Sequence, residues 1–422
     1  MQLIELSEGP LRTQIRLSAD LETWPDVIYR HATTLEELDL SNNKLSSLPA
    51  DFHRFTQLKR LFLTNNQFRD IPAVLATCPR LTMVSFKGNQ LQTFAEGVLS
   101  DALQWLILTD NQLTALPEDF GRYQQLQKLA LAGNQLRSLP ESMQQCQQLG
   151  LIRLSLNQFP SFPDWLFRLP QLAWLALGAN PATPVTLRAN TPTDELSRYQ
   201  LLQPLGAGAS GVIYQAISPA GDTVAVKVFK GWITSDGCPR DELANYLNAG
   251  NHRNLIPIVA NLTAEHLPAL AMQCVPERFQ ALGQPPSFAT ITRDTFAVAC
   301  RFDKAAILTM AKQVASVMAH LHQQHIVHGD LYAHNMLVSA EGELYLGDFG
   351  AATALEALPV QQQQDFKALE VRAFGYWLAD MLALCAEPST VAALTALQAS
   401  LLHPEVTARP NFEQIEQSLA AM

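Results

Sequence analysis

Three glycines early in the second half of the sequence have the spacing of a phosphate-binding turn. They are Gly206, Gly208 and Gly211 in YQLLQPLGAGASGVIYQAIS, which starts at Tyr199. Glycine lets backbone amides approach phosphate oxygens where a Cβ atom would intrude. An apolar run beginning at Val212 follows the turn in place of a helix, which disfavours a dinucleotide-binding site. The pattern favours a strand, a glycine-rich turn and a second strand that together cover a phosphate.

Further residues with chemical potential follow along the chain. In TVAVKVFK the alternation of a strand places Ala225 and Lys227 on the same face. The stretch HIVHGDLYAHNMLV contains Asp330 and Asn335, and ELYLGDFGAAT contains Asp348. A phosphoryl group in transfer accumulates charge that cations and hydrogen-bond donors stabilise, and oxygen ligands suit magnesium.

These motifs, in this order, resemble those of the protein kinase family. The resemblance implies that Lys227 holds the α- and β-phosphates of ATP, and that Asp330 accepts or orients the proton of the attacking hydroxyl. It also implies that Asn335 and Asp348 hold Mg²⁺. Glu242 is the expected partner of Lys227, with Asp241 as the alternative.

The same resemblance supplies an ATP-binding pocket. Met272 is expected to guard its back, Gln273 to Val275 to offer backbone hydrogen bonds to the base, and Leu337 to form its floor. The complete set of expected nucleotide-binding residues is Gly206, Gly208, Gly211, Val212, Ala225, Lys227, Met272, Gln273, Cys274 and Leu337.

The stretch HGDLYAHN, residues 328–335, resembles the catalytic loop of kinases and is called the catalytic loop below. It departs from the family pattern at three positions. Gly329 replaces the Arg that normally precedes the catalytic Asp, so control by phosphorylation of the following loop is not expected. Tyr332 stands where a Lys is usual, and His334 where tyrosine kinases carry an Arg. With these replacements, fewer basic side chains are expected to stabilise the negative charge of the transferred phosphoryl group.

The segment after Asp348 is short. Only 21 residues separate it from Glu370, which stands where kinases have the Asp of a central helix, and there is no Ala-Pro-Glu motif. Arg409, in the closing motif HPEVTARPNF, thereby loses its usual Glu partner. The run of glutamines at 361–364 suggests a polar, exposed loop.

The first half of the sequence is a repeat. Asparagines recur at intervals of 22 or 23 residues, and each follows an L-x-x-L-x-L-x-x-N pattern, as in LQKLALAGNQLRSLP from Leu126. The pattern resembles the leucine-rich-repeat family, in which stacked units bury their leucines together. The recurring residues are Asn43, Asn66, Asn89, Asn111, Asn134, Asn157 and Asn180.

The positions between the leucines are the candidates for function. On the short strands they should project from the concave face, and Trp105 and Trp174 are expected there as exposed anchors for a protein partner. The full set of expected concave positions is Glu36, Glu37, Asp39, Lys59, Arg60, Phe62, Met83, Gln104, Trp105, Ile107, Lys128 and Trp174.

These patterns predict an α/β protein with an N-terminal leucine-rich-repeat solenoid and a C-terminal, bilobal, kinase-like α+β domain. The repeats span residues 1–184, with an N-terminal cap over about 1–34, six repeats and a partial last one. Residues 185–197 form a Pro- and Thr-containing linker, expected as a semi-rigid spacer. Residues 198–422 form the kinase-like domain.

Composition narrows the setting. The net charge of -10 disfavours nucleic acid, because nucleic-acid binders need clustered Lys and Arg. Six scattered cysteines without a C-x-x-C pair suggest reduced, mostly buried thiols. The first ten residues do not read as a signal peptide, and the most apolar stretch, Ala373 to Ala386, is too short for a membrane span. A cytoplasmic location is expected, and the oligomeric state stays open.

The leading interpretation is an ATP- and magnesium-dependent Ser/Thr protein kinase whose repeats bind or sense a protein. Two alternatives stay open. His-Gly-Asp-Leu also occurs in aminoglycoside- and choline-kinase relatives, which phosphorylate small hydroxyl compounds. Tyr332 in place of Lys would suit a pseudokinase scaffold that binds nucleotide without turnover.

Overall fold

A computed structural model describes residues 7–188, 191–208, 210–234, 236–263 and 268–422. The chain divides into two compact units, Met1–Leu172 and Ala173–Met422. Residues 1–6 of the expected N-terminal cap and residues 189–190 of the expected linker lie outside the described residues. Each unit is described by itself.

The first unit is a ladder of short parallel strands. Each strand pairs in register with the next, so that Leu38 lies opposite Leu61 and Leu61 opposite Val84. The strands are β1 Gln14–Arg16, β2 Glu37–Asp39, β3 Arg60–Phe62, β4 Met83–Ser85, β5 Trp105–Ile107, β6 Lys128–Ala130 and β7 Leu151–Arg153. The central side chain of each strand is buried, and in β1, β2, β3 and β5 both of its neighbours are more exposed, as the period of two requires.

Short 3₁₀ helices return the chain from one strand to the next. Several begin directly after a proline, for example Ala73–Thr77 after Pro72 and Glu141–Gln145 after Pro140. Each of these prolines is the extended residue that caps the first turn, and its ring restricts φ there and removes an N–H that would have no partner in the helix. The segments are Asp26–His31, Phe52–Arg54, Ala73–Thr77, Phe120–Arg122, Glu141–Gln145 and Asp164–Arg168.

The asparagine ladder satisfies backbone groups that the turns leave unpaired. The Asn89 side chain donates to the carbonyls of Leu63 (2.9 Å) and Phe86 (3.0 Å), and its Oδ1 accepts from the N–H of Phe68 (3.0 Å). Asn66 repeats the arrangement one turn earlier. Each such side chain replaces hydrogen bonds to water that burial removes, which explains why the residue recurs in every repeat.

The second unit opens with strand β8, Trp174–Ala176, and a six-stranded sheet follows in the order β10-β11-β12-β14-β13-β9. All neighbours are antiparallel except β13 and β9. The core under this sheet includes Ala216, Val226 and Leu262. The strands are β9 Thr193–Glu195, β10 Gln200–Ala207, β11 Gly211–Ile217, β12 Thr223–Phe229, β13 Ile258–Thr263 and β14 Ala269–Gln273.

A mainly helical region completes this unit. Its helices are α1 Pro239–Ala249, α2 Lys304–Gln323, α3 Val360–Ala383, α4 Ala392–Leu401 and α5 Phe412–Ala420, with 3₁₀ turns at Leu196–Arg198, Ala333–Asn335, Pro388–Thr390 and Val406–Ala408. Two small sheets lie among them, β15-β17-β18 (Gln280–Ala281, Met336–Val338, Leu344–Leu346) and β16-β19 (Ile326–Val327, Thr353–Ala354). Caps fix the helix starts: Asp303 accepts from Ala306 N–H (2.7 Å), and Asn411 forms a capping box with Gln414.

Two expectations about connecting segments differ from the structure. The glutamines at 361–364 form the first turn of α3 instead of a loop: Gln361 donates to Asp365 four residues on, and Gln362 is buried. Part of the expected linker is also more than a spacer, since Thr193–Glu195 pairs in parallel with Asn261–Thr263 and extends the sheet. Both patterns lacked an apolar period, and tertiary contacts decided their structure.

Candidate active site

The glycine-rich turn joins two antiparallel strands, β10 and β11. Gly206 and Gly208 have open space where a Cβ atom would lie, so the described residues leave room beside the backbone. At Gly211 a Cβ atom would lie 2.6 Å from the carbonyl oxygen of Val228 on the next strand. Gly211 is therefore required for strand packing, and Val212, opposite Val228, continues the hairpin.

Lys227 extends from β12 to an ion pair with Glu242 on α1. Both side chains are almost fully buried, with 11% and 4% of their surfaces exposed. The second carboxylate near Lys227 is Asp348, whose Oδ1 lies 3.9 Å from Nζ. Burial alone would lower the pKa of Lys227, but these carboxylates raise it, so the ammonium stays charged.

Glu242, and not its neighbour Asp241, is thus the residue that meets Lys227. Burial raises the pKa of Glu242, and the charge of Asp348 adds to that effect while Lys227 opposes it. Asp241 instead accepts hydrogen bonds from the backbone of Ala179 and from Cys238. Helix α1 therefore carries a carboxylate whose ionised form depends on the lysine beside it.

Asp330 and Asn335 are linked within the catalytic loop. The Asn335 Nδ2 donates to the Asp330 carboxylate (2.8 Å) and to the Asp330 backbone carbonyl (2.9 Å). Because Nδ2 is used in this way, Oδ1 is the Asn335 atom suited to a cation. The Asp348 side chain is 48% exposed and its backbone is left-handed (φ 53°), a strained conformation of the kind found at functional sites.

A buried histidine connects the catalytic loop to the Asp348 segment. The His328 Nδ1 accepts from the N–H of Asp330 (3.3 Å), so Nε2 carries the proton and donates to the carbonyl of Gly347 (2.9 Å). The ring of Phe349 lies against His328 and stacks on Tyr246 of α1, with centroids 4.4 Å apart. The loop, the Asp348 segment and helix α1 therefore form one packed array.

Glu370 fixes the loop from the helix below it. Its Oε1 accepts from the N–H of Gly329 (2.7 Å), and its Oε2 is bonded to Nε2 of His322 (2.8 Å). The carboxylate is 1% exposed. Arg409 has no carboxylate partner among the described residues, and instead donates to the carbonyls of His403 (2.9 Å) and Ala368 (2.8 Å).

The residues expected around an adenine ring come from two different sheets. Met272, 5% exposed, is opposite Ala225 in the register of β12 and β14. Gln273 ends β14, and Cys274 follows it. Leu337 lies on β17 opposite Ala281, and its side chain is partly exposed, next to the buried Met336. Strand pairing therefore brings Met272 and Ala225 together, while Leu337 lies in the small sheet β15-β17-β18.

The sequence interpretation was wrong about Trp174, which is not an exposed anchor. It is 2% exposed and stacks on Tyr332 with centroids 4.5 Å apart and an interplanar angle of 7°. Trp105 is half-buried, with the Lys128 ammonium 4.2 Å from its ring centroid. The six cysteines are free thiols; Cys78, Cys146 and Cys385 are buried, whereas the other three are partly exposed, so burial is less general than expected.

A second pair was not anticipated from the sequence. The Asp294 carboxylate, 2% exposed, bonds to Nδ1 of His334 (2.6 Å) and accepts its backbone N–H (3.1 Å). Burial opposes protonation, but the bond to Asp294 and the charge of Asp330 raise the pKa of His334. Asp294 lies about forty residues before the loop, in a segment without a recognisable motif, so only the fold reveals this contact.

Comparison with known proteins finds two families along the chain. The protein kinase domain family matches residues 199–371, and a leucine-rich-repeat family of two copies matches residues 33–75. The leucine-rich repeat receptor-like serine/threonine-protein kinase RGI4 of Arabidopsis thaliana is 30% identical over 151 residues, covering 35% of this chain and 13% of that protein. Serine/threonine-protein kinase 1 of the same plant is 26% identical over 168 residues, covering 39% and 19%.

Aurora/IPL1-related protein kinase 2 of Caenorhabditis elegans is 26% identical over 164 residues, covering 37% of this chain and 48% of that protein. The chain therefore spans less than half the length of each of these three relatives. Among the helices that the structure describes, none has the length and apolar character to cross a bilayer. The motif-based prediction of family and fold class is confirmed: this chain carries leucine-rich repeats in its first part and a protein kinase domain at residues 199–371.

Proposed function

We propose that this chain is an ATP-dependent protein kinase of the Ser/Thr type, which transfers the γ-phosphate of Mg-ATP to a protein hydroxyl. The observation that carries the proposal is the Lys227–Glu242 ion pair, with Asp348 3.9 Å from the same ammonium. The bonded pair Asp330 and Asn335 completes the set. The names of the related proteins, which include serine/threonine kinases, support the acceptor class.

The donor set fits a magnesium ion. Asp348 presents an exposed carboxylate, and Asn335 has an amide oxygen left over once Nδ2 is bonded to Asp330. Both are oxygen ligands of the kind that magnesium prefers. Asn335 and Asp348 would hold the ion, which would offset the charge of the transferred phosphoryl group.

The protein residues then have separate tasks. Lys227 holds the α- and β-phosphates, and Glu242 keeps the ammonium directed into the cleft. Asp330 orients the acceptor hydroxyl and takes its proton, while the Asn335 amide keeps that carboxylate in place. The glycine-rich hairpin covers the phosphates at Gly206 and Gly208, where no side chain intervenes.

The first unit would bind a protein partner through its concave strands. Its charged side chains are partly paired along the ladder, as in Arg60 with Glu37 (2.6 Å) and Lys59 with Glu36 (2.9 Å). Trp105, half-buried beside Lys128, presents an aromatic side chain at these positions. Trp105→Ala should therefore weaken capture of a candidate partner, whereas Trp165→Ala, outside the strands, should not.

Transfer of labelled phosphate tests the enzymatic proposal. The full chain is incubated with radiolabelled Mg-ATP, the chain itself, generic protein acceptors and small hydroxyl compounds. Label on protein, lost in Asp348→Ala and retained in the control Asp222→Ala, supports the proposal; Asp222 lies in the exposed turn between β11 and β12. Label that persists in Asp348→Ala contradicts it. Nucleotide binding without transfer favours the scaffold that Tyr332 suggests, and label on small compounds favours a small-molecule kinase.

A further inference from the structure

Trp174 packs against the catalytic loop of its own unit. Its ring stacks on Tyr332 and also on Tyr376 of α3, with centroids 5.5 Å apart in the second case. Its Nε1–H donates to the backbone carbonyl of Leu331 (3.2 Å). Leu331 is the residue directly after Asp330, so the indole contacts the loop on both its backbone and its side-chain surface.

The backbone beyond β8 adds a second connection. The N–H of Leu177 donates to Oγ1 of Thr353 (3.1 Å), in the segment that follows Asp348. Gly329 has φ +73°, and a Cβ atom there would lie 2.7 Å from the carbonyl oxygen of Leu175 and 2.6 Å from that of Ala351. Three backbone segments thus meet at Gly329, the position where the resemblance expects an arginine.

The segment after Asp348 is also held from its other sides. The Asn245 side chain of α1 donates to the carbonyl of Ala352 (3.0 Å), and the N–H of Leu355 donates to the backbone carbonyl of His325 (2.9 Å). Strand β19 pairs with β16 just before the catalytic loop. Hydrogen bonds within the protein therefore hold this short segment, and position 329 carries no basic side chain that could receive a phosphate.

We propose that Trp174 is a positioning residue for the phosphate-transfer reaction: strand β8 holds the loop of Asp330 in its working geometry by contacts that need no phosphorylation. Trp174 acts through Leu331 and Tyr332. The inference rests on the proposed function for its effect on rate. Its structural part, the ordering of residues 329–332, can be measured without any turnover.

The test compares Trp174→Ala and Trp174→Phe with the wild type in the full chain. Trp165→Ala is the matched control, because its Nε1–H is also hydrogen bonded, to Glu141, outside this unit. Hydrogen exchange is followed at residues 329–332 and 351–354. Phosphate transfer is measured as kcat and as KM for ATP.

In Trp174→Ala, exchange at both segments should accelerate, and kcat should fall by about tenfold to a hundredfold, because small displacements of a reacting group cost that much. KM for ATP should stay within about threefold, because the Lys227–Glu242 pair and the glycine-rich hairpin are untouched. The substitution removes the ordering of the catalytic loop and no contact with ATP. Trp174→Phe keeps the stacking and loses only the donor, so it should lose about fivefold in kcat. Trp165→Ala should match the wild type.

Unchanged exchange at 329–332 in Trp174→Ala would overturn the proposal, even if Trp174→Ala is less stable. A loss of ATP binding that parallels the loss of kcat would also overturn it, because that pattern indicates general unfolding. A wild type that never transfers phosphate defeats the proposed function and the effect on rate. The exchange data would then decide by themselves whether β8 orders the loop.

Discussion

Replacing Gly329 by alanine tests the close approach of backbone segments at the catalytic loop. At φ +73° an L-residue costs about 1–2 kcal/mol relative to glycine. The new Cβ atom would in addition lie 2.6 Å and 2.7 Å from two carbonyl oxygens, those of Ala351 and Leu175. Backbone atoms cannot rotate away, so overpacking should cost about 1–3 kcal/mol more. The sum is a loss of about 2–5 kcal/mol in the free energy of unfolding.

Two other glycines separate the strain from the collision. Gly342 has φ +81° and its nearest atom is 3.7 Å from the ideal Cβ position, and Gly221 has φ +89° with no atom within 4 Å. Alanine at either position should cost only the strain, about 1–2 kcal/mol. Both glycines lie in the second unit, so the three variants report on the same structure.

Thermal unfolding and phosphate transfer provide the measurements. The extra 1–3 kcal/mol should place the Tm of Gly329→Ala roughly 2–12 °C below those of the two controls. Because the displaced segment carries Asp330, kcat should fall in Gly329→Ala and stay near the wild-type value in Gly221→Ala. If Gly329→Ala has the same Tm as the two controls, the backbone segments of Leu175 and Ala351 leave room for a side chain, and the explanation for glycine at this position is wrong.

Three further predictions concern other contacts. Glu242→Gln removes the charge that faces Lys227 and should lower phosphate transfer about tenfold or more in steady-state assays. Burial lowers the pKa of His252 to about 4, from 6.5 in the unfolded chain, so the unfolded state binds more protons between these values. The free energy of unfolding should therefore fall as the pH drops from about 6.5 to 4, and less steeply in His252→Asn, measured by urea midpoints. Asn89→Ala leaves buried backbone groups unpaired and should cost about 1–3 kcal/mol in the same assay.

Each of these has a contrary result. Full activity in Glu242→Gln, with Asp241→Asn as the control, would remove the ion pair from the mechanism. A pH dependence that is the same in the wild type and in His252→Asn would assign the acid sensitivity to other groups. A stability change in Asn89→Ala no larger than that of an exposed Gln92→Ala would mean that solvent replaces the ladder bonds.

Local patterns predicted the elements that carry the site. The glycine spacing predicted the β10–β11 hairpin, and the alternation around Lys227 predicted a strand with Ala225 on the same face. These features depend on residues close together in the sequence, which fix backbone conformation and side-chain direction directly. The repeat was equally accessible, because each unit shows the same short pattern.

Contacts between distant residues were not predictable in this way. Trp174 has the position of an exposed residue within its own repeat, and it is buried because Tyr332, more than 150 residues later, offers a ring to stack on. Asp294 pairs with His334 for the same kind of reason. Gly329 was the available signal in the sequence. Glycine in place of a long basic side chain indicates that another backbone segment approaches closely, but it does not identify that segment.

The strand Thr193–Glu195 has a practical consequence for dissecting the molecule. It covers the outer side of β13, whose backbone groups at 261–263 would otherwise face solvent. A polypeptide cut at Tyr199, where family similarity begins, would expose that edge, and open sheet edges recruit strands from other molecules and aggregate. A cut before Ala173 keeps the strand Thr193–Glu195 and the Trp174 side chain that stacks on Tyr332. A fragment intended to contain the whole kinase domain should therefore begin before strand β8.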